Sequence, residues 1–401
     1  GENPQALVTI FEQSARGLKK VLASGGGRCN LTNACDDPQE LIKNYPRGGR
    51  ELLGPFYEFG PEQASEWFEA QGVKLKTEAD GRVFPASDSS GSVARCLESV
   101  AHKTGVRARM HCTLTEIAPQ TGGGFKLWFN GGEFSEVADA VLLACGGMRD
   151  GKGLADLARA LGHEVQPPLP SLFTFKCRDE RLAGLAGVSV PEASIRAELP
   201  QGKNQTPPQS GALLITHRGF SGPAALRLSA WQAKVFHAAQ YRFNLKISWL
   251  GEHNEGSLGR EFVGLRQKSS RRFVVSHSPF EQIPLRLWKR LCEAAKIAEA
   301  TTWNTLDKEA AQRLARELCA GTFAIEGRAQ NKEEFVTCGG VDLKQVHFKT
   351  MQSRLLPGLF FAGEFLDIDA VTGGFNIQAA WTTGAIAGKS MAQVAFHENL
   401  C

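Results

Sequence analysis

Ser24-Gly-Gly-Gly-Arg-Cys-Asn-Leu-Thr-Asn33 is the stretch from which the fold is read. Three consecutive glycines let a backbone come close to a planar or phosphorylated ligand. Their amides can form an anion-binding nest. Arg28 within the stretch and Lys20 just ahead of it add cationic donors. A flexible glycine turn would show the same residues, so the flanking segments have to decide. Upstream, Leu7-Val-Thr-Ile-Phe-Glu12 is a short apolar, β-branched run ending in an acid. That is the pattern of a buried parallel strand. In a dinucleotide-binding βαβ unit, the acid ending the second strand accepts hydrogen bonds from the adenosine ribose hydroxyls. The plain alternative for Glu12 is a solvated strand end.

Two later segments repeat the theme. Ala138-Asp-Ala-Val-Leu-Leu-Ala-Cys-Gly-Gly147 reads as a strand running into a turn at Gly146 and Gly147. Such a turn brings backbone to a nucleotide at the carboxyl edge of a parallel sheet. Gly358-Leu-Phe-Phe-Ala-Gly-Glu364 is a second buried strand, ending at Gly363 and Glu364. Thr372-Gly-Gly-Phe-Asn376 then opens a small-residue helix over Ile377–Ala392. Gly373, Gly374, Phe375 and Asn376 can aim helix N–H groups at a flavin ring or a pyrophosphate. Ordinary strand-to-helix punctuation would look alike.

The remaining sequence is of a different kind. Helices are predicted over Pro61–Gln71 and Ser92–Lys103, where Val93, Cys96, Leu97 and Val100 share a face. Residues 106–137 alternate around Gly122-Gly-Gly124, a sheet-and-turn signature, and a helix is expected over Lys152–Leu161. Pro167-Pro-Leu-Pro170 is the strongest linker signal. Beyond it, Leu172–Cys177, Gly187–Arg196, Ala212–Thr216 and Tyr241–Leu250 read as strands, with a helix near Pro223–Ala233. Residues 255–320 read as mostly helical. Nucleotide-fold signals at both ends with other sequence between them predict a split domain with a large insertion. In the insertion, Thr216-His-Arg-Gly-Phe-Ser-Gly-Pro223 places His217 and Arg218 between a strand and a helix, with Ser221 as the expected helix cap. His217 and Arg218 are the candidate catalytic residues; a capping loop with solvated side chains is the competing reading.

Composition narrows the class. The 401 residues are 42% hydrophobic and 22% charged, with a net charge of +4. That excludes disorder and offers no basic stripe for nucleic acid. No apolar run approaches the roughly 20 residues of a membrane span, and the first residues carry no secretory pattern. Ten cysteines never form a C-x-x-C pair, which argues against zinc and thioredoxin sites. No metal-ligand pattern and no Ser/His/Asp pattern is present. Several cysteines, such as Cys145, sit in apolar runs and are expected to be buried reduced thiols. The expected compartment is the cytoplasm, or an organelle stroma or matrix in a eukaryote.

Taken in order, these segments resemble the flavoproteins that include bacterial aminoacetone oxidases and the bile-acid-inducible dehydro-bile-acid reductases. The resemblance is carried by Ser24–Asn33, Asp80-Gly-Arg-Val-Phe-Pro-Ala-Ser87, Ala144-Cys-Gly-Gly147 and Thr216–Pro223. Thr337-Cys-Gly-Gly-Val341, Phe361-Ala-Gly-Glu-Phe-Leu-Asp367 and Val371-Thr-Gly-Gly-Phe-Asn-Ile-Gln378 complete it. It implies an α/β fold: a split Rossmann-like FAD-binding domain with an inserted β-barrel-like domain and a small helical subdomain. The expected boundaries are 1–168 and 336–401 for the FAD domain and 169–335 for the substrate domain, with its helices at about 255–320. By resemblance, Glu12 would hold the adenosine ribose. Lys20, Ser24, Gly25, Gly26, Gly27, Arg28, Cys29, Asn30, Gly146, Gly147, Gly363, Glu364, Gly373, Gly374, Phe375 and Asn376 would surround FAD. Family members carry a strand and a Gly-x-Gly-x-x-Gly turn ahead of the position of Leu7. That motif has no counterpart here, and the chain is expected to be a fragment of a longer protein.

The expected activity is transfer of a hydride or electron pair between bound flavin and an organic small molecule, with NAD(P)H a candidate donor. Oxidase, reductase and dehydrogenase modes all fit, and nothing in the sequence bears on oligomeric state. Two rivals remain: a scaffold of the same fold that no longer holds FAD, and an FAD-dependent RNA-modifying enzyme, which the modest charge disfavours.

Overall fold

In the computed structural model, which describes residues 3, 5–147, 153–199, 205–251, 253–269, 271–329 and 336–394, the strand Thr9–Phe11 lies parallel to Arg107–Arg109, with Thr9 opposite Arg107. A second parallel pair joins Val141–Leu143 to Leu359–Phe361, with Leu359 opposite Val141. Both pairs belong to a unit made of Gly1–Leu169 and Val336–Cys401; Pro170–Phe335 form the other.

In the first unit, local sequence sets the elements. Pro61 sits at the first position of its helix, where a missing N–H costs nothing, and Gln63 Oε1 accepts from Gly60 N at 2.8 Å. The helix Ser90–Lys103 buries Val93, Ala94 and Cys96 on one face. The alternating run after residue 106 forms an antiparallel meander, Leu114–Pro119, Phe125–Phe129 and Phe134–Ala138. Phe129 stacks on Phe11 at 4.3 Å and on Phe134 at 4.9 Å, so the meander packs beneath the first strand. That strand is nevertheless exposed at Thr9 and Ile10, with Ile10 at 49%. The expected parallel partner is present; the expected burial is not. The proline-rich stretch is also not a loose linker. It lies inside the strand Val165–Ser171, which pairs with Val336–Val341. Pro is tolerated in an edge strand because only one side of the ladder needs its missing donor.

The second unit is built on one antiparallel seven-stranded sheet. Its spatial order is Gly321–Ile325, Phe243–Ser248, Ser189–Glu198, Gln209–Thr216, Gly219–Ser221, Phe175–Lys176, Gly327–Arg328. The first and last strands of that order are separated in sequence by Glu326 alone. One run of chain therefore pairs with Phe243–Ser248 along its first part and with Phe175–Lys176 along its second. Among the described residues no ladder joins the first and last strands of that order, so the expected β-barrel-like domain is not a closed barrel. Its core is aromatic: Phe236 stacks on Phe243 at 4.2 Å, and Phe175 meets both edge-on. Helices Glu255–Lys268, Leu285–Ala294 and Lys308–Ala320 pack into the same core through Leu258, Trp288 and Leu314.

Candidate functional site

Glu12 ends its parallel strand as expected. Its backbone N–H continues the ladder to Arg109 O at 2.9 Å, and its carboxylate accepts from Ser14 N at 2.8 Å and Ser14 Oγ at 2.5 Å. The Ser14 bonds fix the carboxylate at the carboxyl edge of the strand pair.

The glycine stretch is a tight left-handed turn. Gly25, Gly26 and Gly27 have φ of +57°, +67° and +86°, a region open to glycine at little cost. A Cβ on Gly25 would lie 2.7 Å from Asn30 N, whereas Gly26 and Gly27 face open space. All three are exposed. Ser24 Oγ donates to Val21 O at 2.8 Å, and Ser24 O accepts from Cys29 N at 3.0 Å, closing the turn. Cys29 is fully buried, and burial pushes its thiol pKa up; it is a packing residue. Arg28 departs from expectation. Its guanidinium lies over the Phe84 ring at 4.0 Å and pairs with Glu78 at 2.7 Å and Asp88 at 3.4 Å. Its charge is answered by protein carboxylates, not held out for an anion.

The glycine loop is stapled to the C-terminal turn and helix Phe375–Val394. Asn30, its amide oriented to satisfy both neighbours, accepts from Gly374 N at 2.9 Å and donates to Thr32 O at 3.1 Å. Asn33 Nδ2 donates to Gly373 O at 3.0 Å, Thr32 Oγ1 to Gln378 Oε1 at 2.6 Å, and Trp381 Nε1 to Leu31 O at 3.0 Å. A Cβ on Gly374, at φ +94°, would meet Thr32 O at 2.2 Å. The close backbone approach expected of Gly374 is therefore an approach to the chain itself. Asn376 spans its own turn, with Oδ1 accepting from Ala370 N and Nδ2 donating to Ala370 O, each at 2.9 Å. Phe375 is buried, and its carbonyl accepts from the Tyr45 hydroxyl at 2.6 Å. Asn376 and Phe375 thus shape the turn through protein contacts.

Glu364 gathers the rest. Its carboxylate takes Thr337 N at 2.8 Å, Gly147 N at 3.2 Å and the Lys20 ammonium. A Cβ on Gly147 would sit 2.8 Å from Glu364 Oε1; Gly146 precedes it at φ +75°. Gly363, at φ +66°, donates its N–H to Thr383 Oγ1 at 2.9 Å. Three other segments, at Lys20, Gly147 and Thr337, thus converge on one acid. Sequence reasoning missed a second convergence, the ion pair of Arg47 with fully buried Asp369, which ties residue 47 to the turn before Gly373. Pairs so far apart in sequence leave no periodic signal.

The cysteines also divide. Cys29, Cys96, Cys112, Cys177, Cys292 and Cys338 are buried and Cys35 and Cys319 half-buried, but Cys145 is exposed. His217 and Arg218 lie in the other unit. They are the exposed two-residue tip of the hairpin Gln209–Thr216 to Gly219–Ser221, not a strand-to-helix loop. Arg218 O accepts from Cys177 N at 2.9 Å, and Arg218 N donates to Thr216 Oγ1 at 3.2 Å. The following helix Pro223–Trp231 is capped by Gly222 at φ +91°, not by Ser221, whose hydroxyl accepts from Thr174 Oγ1 at 3.0 Å. A Cβ at position 222 would meet Ala212 O at 2.8 Å, which explains why glycine holds the cap.

The donor set of the first unit fits an anionic dinucleotide. It offers exposed left-handed glycine backbone with open space above it, and an acid at the end of a parallel strand. Among the described residues, no helix is long and apolar enough to cross a membrane.

Residues 2–390 match the HI0933-like protein Rossmann domain. The chain is 31% identical to the 3-dehydro-bile acid delta(4,6)-reductase of Clostridium scindens, over 97% of this chain and 93% of that protein. It is 28% identical to the ribosomal RNA dihydrouridine synthase of Escherichia coli, over 94% and 90% respectively. Among solved structures, the 3-ketosteroid-delta4-(5alpha)-dehydrogenase of Rhodococcus jostii RHA1 aligns with 97% of this chain and 89% of that one, at 15% identity and a TM-score of 0.45. By the extent of the domain match and of the bile-acid reductase alignment, the chain belongs to the HI0933-like Rossmann family of flavin-dependent oxidoreductases.

Proposed function

We propose that this protein binds FAD and reduces a carbon–carbon double bond conjugated to a carbonyl group in an organic substrate. The observation that carries the cofactor half is the exposed Gly25–Gly27 backbone set in the same unit as Glu12 and the Glu364 convergence. Glu12 would take the ribose hydroxyls. The Gly25–Asn30 loop, Gly146–Gly147, Gly363–Glu364 and Gly373–Asn376 would surround the cofactor, the last two mainly by holding their neighbours in place. When bound, flavin supplies the electron pair that no side chain of this protein can.

The substrate half rests on two relatives. A 3-dehydro-bile acid with delta(4,6) unsaturation is a ketone conjugated to double bonds, and dihydrouridine is uridine with the double bond next to a ring carbonyl reduced. One chemistry covers both names: hydride addition to the carbon β to a carbonyl and proton addition to the α carbon. A small carbonyl compound is the first reading of the substrate, with NAD(P)H as the donor. Uridine within RNA is the second, favoured by 28% identity to the E. coli enzyme along 94% of the chain. A scaffold that has lost FAD finds no support in glycine backbone that remains open and exposed.

The test is direct. Protein expressed from its full reading frame is purified, its flavin absorbance measured and the released cofactor identified by chromatography. It is then mixed with reduced nicotinamide and, separately, with a 3-oxo-Δ4,6 bile acid and with ribosomal RNA from cells lacking dihydrouridine. Mass spectrometry scores the gain of two hydrogens. Colourless protein sinks the cofactor assignment; coloured protein that reduces neither probe sinks the substrate class.

A further inference from the structure

The second substrate reading, uridine within RNA, needs a surface that can hold a nucleic acid. The sequence shows no long basic stripe, yet its positive charge is unevenly spread. Between Arg260 and Lys296 stand nine Lys or Arg and three Asp or Glu, so this stretch carries more positive charge than the net +4 of the whole chain. All of it belongs to the unit Pro170–Phe335. The helix Glu255–Lys268 turns Leu258 and Phe262 into the core. Arg260, Val263, Gly264 and Gln267, at helical spacing, share the opposite face, and Val263 is 54% exposed. A Cβ on Gly264 would have nothing within 4 Å. Glycine weakens a helix interior relative to alanine, and no contact within the chain calls for it here.

The cations on this side are left unanswered. The two acids of the helix are engaged: Glu255 lies 3.6 Å from Arg316 Nε, and Glu261 lies 3.1 Å from His253 Nε2. Arg260, Lys268, Arg271 and Arg272 are exposed and pair with no carboxylate among the described residues. An aromatic ring follows them directly in the chain. Phe273 is 50% exposed, although its backbone is held on both sides. Arg272 N donates to Ser269 O at 2.9 Å just past the helix end, Trp303 N to Arg272 O at 3.1 Å, and Val274 N to Thr301 O at 2.9 Å. Val274 is fully buried, and its carbonyl accepts from Trp288 Nε1 at 2.7 Å. The chain thus goes inward at Val274 and leaves the preceding ring outside on a fixed backbone.

We propose that the turn bearing Lys268, Arg271, Arg272 and Phe273, with the outward face of Glu255–Lys268, docks single-stranded RNA. This rests on the RNA reading of the substrate, which draws on the likeness to the E. coli enzyme. Phe273 stacks on a base, and Arg271, Arg272, Lys268 and Arg260 neutralise phosphates. Cations without protein counter-charges around an exposed ring are the combination that single-strand binders use. Base–aromatic stacking tolerates any sequence, and guanidinium groups serve both phosphates and base faces. An anionic membrane is the less suited partner. A helix lying in a bilayer interface needs a broad apolar face, and here Arg260, Gly264 and Gln267 interrupt the apolar surface around Val263.

The experiment follows the fluorescence anisotropy of a labelled uridine dodecamer at several salt concentrations. It compares the unaltered protein with Arg271→Ala/Arg272→Ala, with Phe273→Ala and with Lys344→Ala/Lys349→Ala, which removes two exposed lysines of the other unit. The arginine pair is expected to weaken binding about tenfold or more and to lower the slope of log affinity against log salt by about 1.4, at roughly 0.7 per phosphate contact. Phe273→Ala is expected to weaken binding about 5- to 150-fold, the usual effect of losing one stacked base, with the slope unchanged. The lysine pair is expected to change neither quantity. No binding of the dodecamer, or equal losses in the arginine and lysine pairs, overturns the docking surface. So does flotation with vesicles of phosphatidylglycerol and phosphatidylcholine that the arginine pair abolishes while RNA binding persists. The expected pattern in a protein that adds no hydrogens to ribosomal RNA sustains the surface and overturns the RNA substrate reading. Hydrogenated ribosomal RNA with a KM unmoved by the arginine pair does the reverse.

Discussion

Lys20 and Glu364 form an ion pair across 344 residues of chain, and the same carboxylate accepts the backbone N–H groups of Gly147 and Thr337. The two kinds of contact differ in weight. The Lys20 side chain is 52% exposed, and exposed pairs contribute about 0–1 kcal/mol. A hydrogen bond to a charged acceptor contributes about 1.5–3 kcal/mol, and here there are two. Lys20→Ala is therefore expected to lower unfolding free energy by less than about 1 kcal/mol. Glu364→Ala is expected to lower it by about 3 kcal/mol or more, with Glu364→Gln between them. Urea unfolding of flavin-free protein measures all three. Equal effects for Lys20→Ala and Glu364→Ala would show that the ion pair is the anchor.

The glycines should separate by what a side chain would strike. Gly374→Val drives a branched side chain into Thr32 O, 2.2 Å from the Cβ position, and should prevent stable folding. Gly26→Ala meets open space and bears only the left-handed penalty of about 1–2 kcal/mol. It should leave a folded protein with reduced flavin content, because the added methyl stands over the exposed nest. Thermal unfolding together with flavin absorbance per chain distinguishes the two. A folded Gly374→Val protein would show that the loop and the C-terminal turn can part.

Glu12→Ala should weaken FAD binding roughly ten- to a hundredfold, the equivalent of about 1.5–3 kcal/mol. The fold should survive, since the strand keeps its ladder to Arg107–Arg109 through backbone groups. Titration of flavin-free protein with FAD reads the affinity, and unchanged affinity would make Glu12 a strand end held by Ser14 and nothing more.

His163 predicts a pH dependence of stability. It is buried, with Nε2 2.8 Å from Ser353 Oγ and its ring edge-on to Phe361. Burial lowers its pKa below 6.5. The unfolded chain therefore takes up a proton first as pH falls, so this residue's contribution is fully present above about pH 6.5 and is lost below it. His163→Gln should flatten that part of the stability–pH curve relative to the unaltered protein. An unchanged slope between pH 7 and pH 5, roughly the range in which histidine titrates, would count against it.

His217→Ala is expected to change unfolding free energy by no more than about 0.5 kcal/mol, as for other exposed positions, and to leave flavin content as it was. A large loss of either would return the hairpin tip to a functional role.

The parallel strands were legible because apolar runs ending in an acid, at Glu12 and Glu364, recur beside glycine-rich turns. Positive-φ glycines at 25–27 and 373–374 were legible because glycine alone tolerates that geometry. Side-chain duties were much less so. Arg28 looked like an anion donor because its partners Glu78 and Asp88 lie 50 and 60 residues away. Gly374 looked like a ligand contact because the carbonyl it clears, that of Thr32, belongs to a distant loop. The exposure of Ile10 and Cys145 was hidden for the opposite reason: an apolar neighbourhood in sequence says nothing about what packs across it. The hairpin at His217–Arg218 was misread because Gly219 supplies a turn and Gly222 a cap within four residues.

The unit that holds the glycine loop is discontinuous in sequence, and this sets an order of assembly on the ribosome. Domains fold as their residues emerge. Pro170–Phe335 is contiguous and can finish as soon as it is synthesised. The Ser24–Asn33 loop emerges far earlier, yet Gly373, Gly374, Gln378 and Trp381, which it must grasp, come at the far end. Throughout synthesis of the intervening unit, the nascent first half waits without Ile377 and Trp381, which pack against the cluster around Leu31 and Cys29. A chain halted before Glu364 would carry one finished unit and one that cannot close, a natural target for chaperones and proteases.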